Sequence, residues 1–172
     1  MKKLKSLHDL LVLQVRNLYD AEKQIAKALP QVIKKVQDEE LQDALYDHLQ
    51  QTEHQIERLE RVCEKLEISV RSKKHSVGME GLIAEVQEAI EMEAESSVMD
   101  AAIIASVQRV EHYEIACYGC ARTYARLLDY RNIESILDEI LAEEEEADRI
   151  LTAIAEDYIN IEAMMAEESM NQ

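Results

Sequence analysis

Two carboxylates, those of Glu111 and Glu114, fall on the apolar stripe of a long helical pattern in the second half of the chain. The stripe recurs every three or four residues, which is the spacing of one face of an α-helix. Its other members are Ile103, Ile104, Val107, Ile115, Tyr118 and Ala121. An isolated charge in an apolar interior costs on the order of several kcal/mol even after the protein relaxes. These two side chains therefore need a neutralising partner.

Three further acids fall on the inward stripes of other predicted helices. Glu22 lies between Leu18 and Ile25 in the first helical pattern, and Glu144 and Asp148 lie four residues apart in the last one. Folding successive helices into antiparallel hairpins brings all of these acids near the middle of the bundle. Five buried carboxylates would cost about as much as the roughly 5 to 15 kcal/mol by which a whole domain is stable.

Divalent cations held by carboxylates, with an imidazole or an amide completing the shell, meet this demand directly. The second helix offers Glu53 at the edge of its inner stripe, and Glu53 comes level with Glu22 when the first two helices fold back about Asp38. We therefore predict a metal site. Its candidate ligands are Glu22, Glu53, Glu111, Glu114, Glu144 and Asp148.

Other interpretations of the same acids stay open at this point. The helices could rotate enough to expose them, or water could fill the centre of the bundle. Glu53 and Asp148 could support the ligands without binding the metal themselves. His48, Thr52 and Gln55 face inward at mid-length of the second helix, and they could either complete the metal shell or form a hydrogen-bonded layer that fixes helix register.

Several other side chains on the third long helix need no role in the chemistry. Tyr118 could support the site through its hydroxyl, but the role we expect for it is aromatic packing. Cys117 and Cys120 have no second pair to complete a zinc site, so we interpret them as small residues at a close helix contact. Arg122 faces inward two turns beyond Glu114 and could offset part of the negative charge.

The composition predicts long, uninterrupted helices. The 172 residues include 3 Gly and 1 Pro, and 47% of them are apolar, so the fold class is all-α. The chain is long enough for one domain over residues 1–172. The periodic pattern predicts long helices over about 4–36, 40–66, 97–128 and 133–161 and a short helix over about 79–91 in the long crossover between helices two and three. We expect residues 1–3 and 164–172 to be frayed.

The charge and the cysteines narrow the class of protein further. A net charge of −17 argues against nucleic acid and against an anionic membrane surface as partners, because both require a basic footprint. No run of residues is long and apolar enough for a membrane span. Three cysteines do not make a disulfide framework and suit a reducing compartment. We therefore expect a cytoplasmic protein.

A four-helix bundle with carboxylates projecting into its centre is the arrangement of ferritin-like metal proteins. Several separate stretches of the chain also closely resemble the YciE/YciF family of bacterial ferritin-like proteins. They are residues 18–24, 55–60, 79–83, 110–116 and 118–119, followed by Glu143, Glu144 and Asp148. This resemblance implies a stress-associated cytoplasmic protein, a homodimer and a dinuclear metal centre, with two iron or manganese ions per chain.

The sequence departs from the usual ferritin-like ligand pattern at two places. Such sites take a Glu-x-x-His pair from each of two helices, whereas this chain has Gln51, Thr52, Glu53 and His54 in the second helix and Ala147 three residues after Glu144. One of the two metal positions is therefore expected to be the weaker one.

Three classes of function follow from these features. The first is an oxidoreductase, with ferroxidase, peroxidase or oxidase activity, that reacts with oxygen or peroxide at its metals. The second is a protein that buffers or stores metal without turnover. The third is a helical scaffold whose acids are held by water and Arg122.

Overall fold

The computed structural model of the protein describes residues 4–70 and 75–170, with residues 167–170 described by their backbone alone. In this part of the chain every regular element is helical. The elements are α1 (Leu7–Ile33), α2 (Glu39–Lys65), α3 (Val77–Glu91), α4 (Ser96–Leu127), α5 (Arg131–Ile154), a π-helical segment (Ala155–Ile159) and α6 (Asn160–Met170).

The prediction of four long helices and a short crossover helix is confirmed, and most helix ends lie within three residues of their predicted positions. The starts of α1 and α2 are set by local hydrogen bonds to their N-cap residues. The Ser6 side chain accepts a hydrogen bond from the Asp9 amide at 3.1 Å and begins α1. The Asp38 carboxylate accepts one from the Leu41 amide at 2.8 Å and begins α2, as expected for N-cap residues.

The C-terminal end of the chain differs from the prediction. The expected single helix over 133–161 contains a π-helical segment after Ile154. The backbone after Ala163 is helical as far as Met170, because the tail is rich in Ala, Met and Glu, which favour helix. The fraying of this tail stays a prediction. Residues 1–3 and 171–172, for which fraying was also predicted, lie outside the described residues, as do residues 71–74 of the crossover.

The four long helices occupy the corners of a bundle. Helix α1 packs against α2 and α4, and α5 packs against the same two helices, so that α2 and α4 are diagonal to each other. Helix α3, in the crossover, packs on α1 and α4. No helix in the described ranges is long and apolar enough to cross a bilayer.

The apolar core is divided into two clusters along the bundle axis. One contains Leu11, Val15 and Leu18 of α1 with Leu59 of α2 and Leu137 of α5. The other cluster lies toward the opposite end of the bundle. It includes Ile25, Leu29, Leu45, Val107, Leu151 and Ile154. Between the clusters each long helix contributes polar side chains, and this layer is the candidate site.

Candidate metal centre

The polar layer is built from all four long helices and is closed to solvent. The side chains of Glu22, Glu111, Glu114 and Glu144 are 0% exposed, and that of His48 is 5% exposed. Each lies on the inward stripe of its helix because it is three or four residues from apolar core positions, which follows from the helical repeat. Four separate helix stripes thus meet at one level.

Four of these side chains lie close enough together to hold one ion. His48, Glu111, Glu114 and Glu144 each offer one ligand atom, and these atoms all lie within 4.8 Å of one another. His48 Nε2 lies 3.2 Å from Glu111 Oε1. Even so, both ring nitrogens of His48 and all four carboxylate oxygens of Glu111 and Glu114 have no hydrogen-bond partner among the described residues.

Glu22 lies beside this group and is held by a different contact. The Tyr118 hydroxyl donates a short hydrogen bond to Glu22 Oε1, while Glu22 Oε2 is buried without a partner. Tyr118 therefore has both of the roles considered for it, because its ring packs in the apolar core and its hydroxyl reaches the carboxylate layer. The negative charge of Glu144 helps to raise the pKa of Glu22, which places the two carboxylates in one electrostatic unit.

Glu144 is oriented by an amide from α2. Gln55 Nε2 donates to Glu144 Oε1 at 2.5 Å and to Glu143 Oε2 at 3.0 Å. Arg58 is the nearest guanidinium, but it pairs with the more exposed Glu143. Arg122, which the sequence offered as an internal cation, pairs with Asp138 at 2.8 Å. Arg58 and Arg122 are therefore paired with acids outside the buried cluster, although the charge of Arg58 opposes the rise in the pKa of Glu22 and of Glu144.

Burial decides the protonation of the layer. Desolvation, followed by the charge of neighbouring carboxylates, raises the pKa of Glu111 and Glu114 well above the usual range. Desolvation is also the main cause that raises the pKa of Glu22, and it raises that of Glu144 to about 7. It lowers the pKa of His48 to about 4, so the imidazole is neutral at pH 7. The ring therefore carries no positive charge that could balance the buried carboxylates.

A divalent cation fits this set of donors. Buried polar groups in folded proteins are normally paired, and here the orphaned atoms are carboxylate oxygens and imidazole nitrogens, which are the ligands of iron and manganese. A cation would replace the missing partners of several residues at once. The residues present therefore fit a metal, although the carboxylates could also share protons in its absence.

The structure brings together four of the six predicted ligands, namely Glu22, Glu111, Glu114 and Glu144; their binding of metal remains a prediction. Asp148 lies at the edge of the layer. Its side chain is 20% exposed, it accepts a hydrogen bond from Gln108 at 3.1 Å, and its charge helps to raise the pKa of Glu111.

Glu53 does not join the cluster, so our prediction for this residue requires correction. Its side chain is exposed on the outside of α2, whereas Thr52 is fully buried. The reason is rotational: adjacent residues on a helix differ by about 100°, and the helix has turned Thr52 and Gln55 toward the centre.

His48 is a candidate ligand that the sequence-based prediction did not include. It was recognised as inward-facing but was not among the predicted ligands. Its position one turn before Thr52, level with Glu111 across the bundle, was the signal that could have identified it. The inward pair Thr52 and Gln55 occupies the spacing of a Glu-x-x-His motif on α2, and Ala147 follows Glu144 on α5, so that the described site takes its imidazole from another turn of α2.

Comparison with known proteins agrees with this architecture. The sequence profile of the domain of unknown function DUF892 matches residues 6–164. The chain belongs to this family. Among DUF892 relatives, the protein YciF of Escherichia coli strain K12 is 40% identical over 161 residues, which cover 93% of this chain and 96% of YciF. The resemblance to YciF inferred from the sequence is thus confirmed.

Solved structures show the same bundle. The crystal structure of the E. coli stress protein YciF matches with a TM-score of 0.87 and 39% identity, over 91% of this chain and 99% of that one. A protein of Rhodopseudomonas palustris described as a putative structural protein, YcfI, matches with a TM-score of 0.83 and 40% identity, over 88% and 96% of the two chains. The ferritin-like DUF892 fold is therefore established for this chain.

Proposed function

We propose that this protein is a carboxylate-bridged dinuclear iron or manganese protein that reacts with oxygen or peroxide as part of a bacterial stress response. One observation carries the proposal: four fully buried glutamates and a buried histidine meet in one layer, with most of their ligand atoms unpartnered. Such a layer is unfavourable without cations or bound protons, because buried charges need partners.

The number of carboxylates supports two ions. Four ionised glutamates carry four negative charges, and two divalent ions balance them, whereas one ion would leave two charges in the interior. We propose that the two ions would be held by His48, Glu22, Glu111, Glu114 and Glu144. Glu114 and Glu144 are electrostatic neighbours of Glu22 and of Glu111 alike, which supports treating the four carboxylates as one site.

When bound, iron or manganese would supply the redox chemistry that protein side chains lack. The chain contributes the surroundings. The apolar clusters on both sides of the layer exclude water, which strengthens electrostatic interactions inside it. The hydrogen bonds from Tyr118 to Glu22 and from Gln55 to Glu144 orient two of the carboxylates, as supporting contacts do in metal sites.

The wider role is also part of the proposal. The related E. coli protein YciF is a stress protein, which supports a stress role here, and the three free cysteines support a reducing cytoplasmic location. We further propose a homodimer. The exposed apolar side chains of Ile161, Met164 and Met165 on α6 offer a surface for it, and light scattering after size exclusion would measure the mass directly.

Anaerobic reconstitution with Fe²⁺ or Mn²⁺, followed by dialysis and elemental analysis, tests the metal site. We expect about two ions per chain at metal concentrations well above the dissociation constant. Glu144→Gln should lose at least one of them, because it removes a buried anionic ligand. Glu145→Gln is the matched control, since Glu145 is the exposed neighbour of Glu144 on α5, and it should bind metal like the wild type.

A second measurement separates redox chemistry from storage. Oxygen or peroxide consumption is followed after Fe²⁺ is added to the metal-free protein, with Glu144→Gln as the inactive reference. The protein could bind metal stoichiometrically and yet consume oxygen or peroxide no faster than free Fe²⁺ does. That result would identify a metal-binding protein and overturn the oxidoreductase proposal. Less than about a tenth of an ion per chain would overturn the metal proposal itself.

A further inference from the structure

A cavity between α2 and α5 opens at the protein surface and reaches His48, at the edge of the carboxylate layer. Its volume is about 280 Å³. Residues of α2 and α5 line it, and they include Glu40, Asp43, Asp47, His48, Glu146 and Ala147. The outer part is acidic, and no lysine or arginine belongs to this lining as the structure describes it.

His48 joins this cavity to the site. Its ring lines the cavity and is 5% exposed, while neither of its nitrogens has a hydrogen-bond partner among the described residues. Its Nε2 atom also lies 3.2 Å from Glu111 Oε1. An unpartnered imidazole thus stands between an acidic mouth and a ligand carboxylate.

The other cavities suit a cation less well. The cavity under α3 also reaches His48 and Glu111, but Ile25, Leu29 and Val107 are typical of its lining and its volume is only about 20 Å³. The larger cavity of about 480 Å³ between α1 and α3 includes Lys27 and contains none of the cluster residues. An ion passing through apolar walls would have to lose its water without replacement ligands.

We propose that the α2–α5 cavity is the access route for divalent cations, in which Asp43 and Asp47 collect the ion and deliver it to His48 and Glu111. The inference rests on the proposed metal function. Asp43 and Asp47 are exposed, one turn apart on α2, and the nearby Glu40 accepts a hydrogen bond from Tyr158 at 3.3 Å. Glu146 is paired with Arg149 at 2.5 Å, which leaves the two aspartates as the principal attraction.

Stopped-flow mixing with Co²⁺ tests the route, because visible absorption reports Co²⁺ coordination without turnover. The variant Asp43→Asn/Asp47→Asn should lower the association rate constant roughly tenfold at low ionic strength, in the range that electrostatic focusing provides. The loss should shrink as salt is raised, because the Debye length falls to about 10 Å at 0.1 M. Co²⁺ bound per chain at saturation should stay at the wild-type value.

The matched control is Glu57→Gln/Glu64→Gln, which removes the same charge from exposed positions elsewhere on α2. It should change the association rate less than twofold. Equal rates for the wild type and the aspartate variant would overturn the access route while leaving the metal site in place. Equal slowing by both double variants would also overturn it, since net charge alone would then explain the effect. If the wild type binds no Co²⁺, the proposed function fails, and the route fails with it.

Discussion

His48 Nε2 on α2 lies 3.2 Å from Glu111 Oε1 on α4, although these two helices are diagonal in the bundle. The contact is possible because the apolar core is interrupted at this level by a layer of polar side chains. Burial keeps His48 neutral and raises the pKa of Glu111. The diagonal pair is therefore held without a full ion pair, and the layer's charge depends on pH and on metal.

The metal-free protein should become less stable as pH rises from about 4.5 to 7. The folded state keeps protons on Glu144, whose pKa is raised from 4.5 to about 7, while the unfolded state has lost them. Glu22, Glu111 and Glu114 act in the same direction. Each proton difference changes the free energy of unfolding by about 1.4 kcal/mol per pH unit.

His48 opposes this trend between about pH 4 and 6.5, because its folded-state pKa is lowered, but it is one group against four. Urea unfolding of metal-free protein at several pH values measures the slope. Glu144→Gln should make the slope shallower by up to one proton, and saturating Mn²⁺ should reverse its sign, because metal binding releases protons. Stability that rises with pH without metal would contradict the protonated layer.

Tyr118→Phe should lower the free energy of unfolding by about 1 to 3 kcal/mol, because Glu22 Oε1 loses its hydroxyl donor in a site closed to water. Tyr46→Phe is the control, since Tyr46 is half exposed, and its effect should stay within about 0.5 kcal/mol. Urea denaturation followed by circular dichroism gives both values. Equal stability of the two variants would show that the Tyr118 hydroxyl contributes nothing.

Ala147→His should tighten Mn²⁺ binding about tenfold, or about 1.4 kcal/mol. The substitution places an imidazole three residues after Glu144 and so restores Glu-x-x-His spacing on α5. Position 147 is half-buried beside the cavity that His48 lines. Equilibrium dialysis measures the dissociation constant, and Ala142→His, at an exposed position of the same helix, should leave it unchanged. Unchanged affinity in both variants would mean that position 147 does not face the ion.

Asp100→Ala should destabilise the fold by about 2 to 4 kcal/mol. The buried Asp100 carboxylate at the start of α4 accepts hydrogen bonds from the Gln37 and Asp38 amides, each at 3.0 Å, and so ties the α1–α2 turn to α4. Asp47→Ala, at an exposed position, should change stability by less than about 0.5 kcal/mol. A loss no larger than this control, measured by urea unfolding, would show that the turn is held by other contacts.

The sequence by itself determined the helical class, the number of helices and the inward placement of Glu22, Glu111, Glu114 and Glu144. It could do so because the 3.6-residue repeat places a side chain on one face of its own helix, and a charge on an apolar stripe is visible without coordinates. The level of these residues within each hairpin also followed, because the short α1–α2 and α4–α5 turns fix how far back the second helix of each pair folds.

Only the tertiary structure decided that Glu53 lies outside the carboxylate layer and what the inward residues of α2 contact. Thr52 and Glu53 are neighbours in the sequence, but their side chains point about 100° apart around the helix axis. Packing of α2 against α1 and α5 sets which of the two faces the centre. The His48 contact with Glu111 and the hydrogen bond from Tyr118 to Glu22 join residues far apart in the chain. Such contacts depend on the relative rotation and height of two helices, which no local pattern encodes.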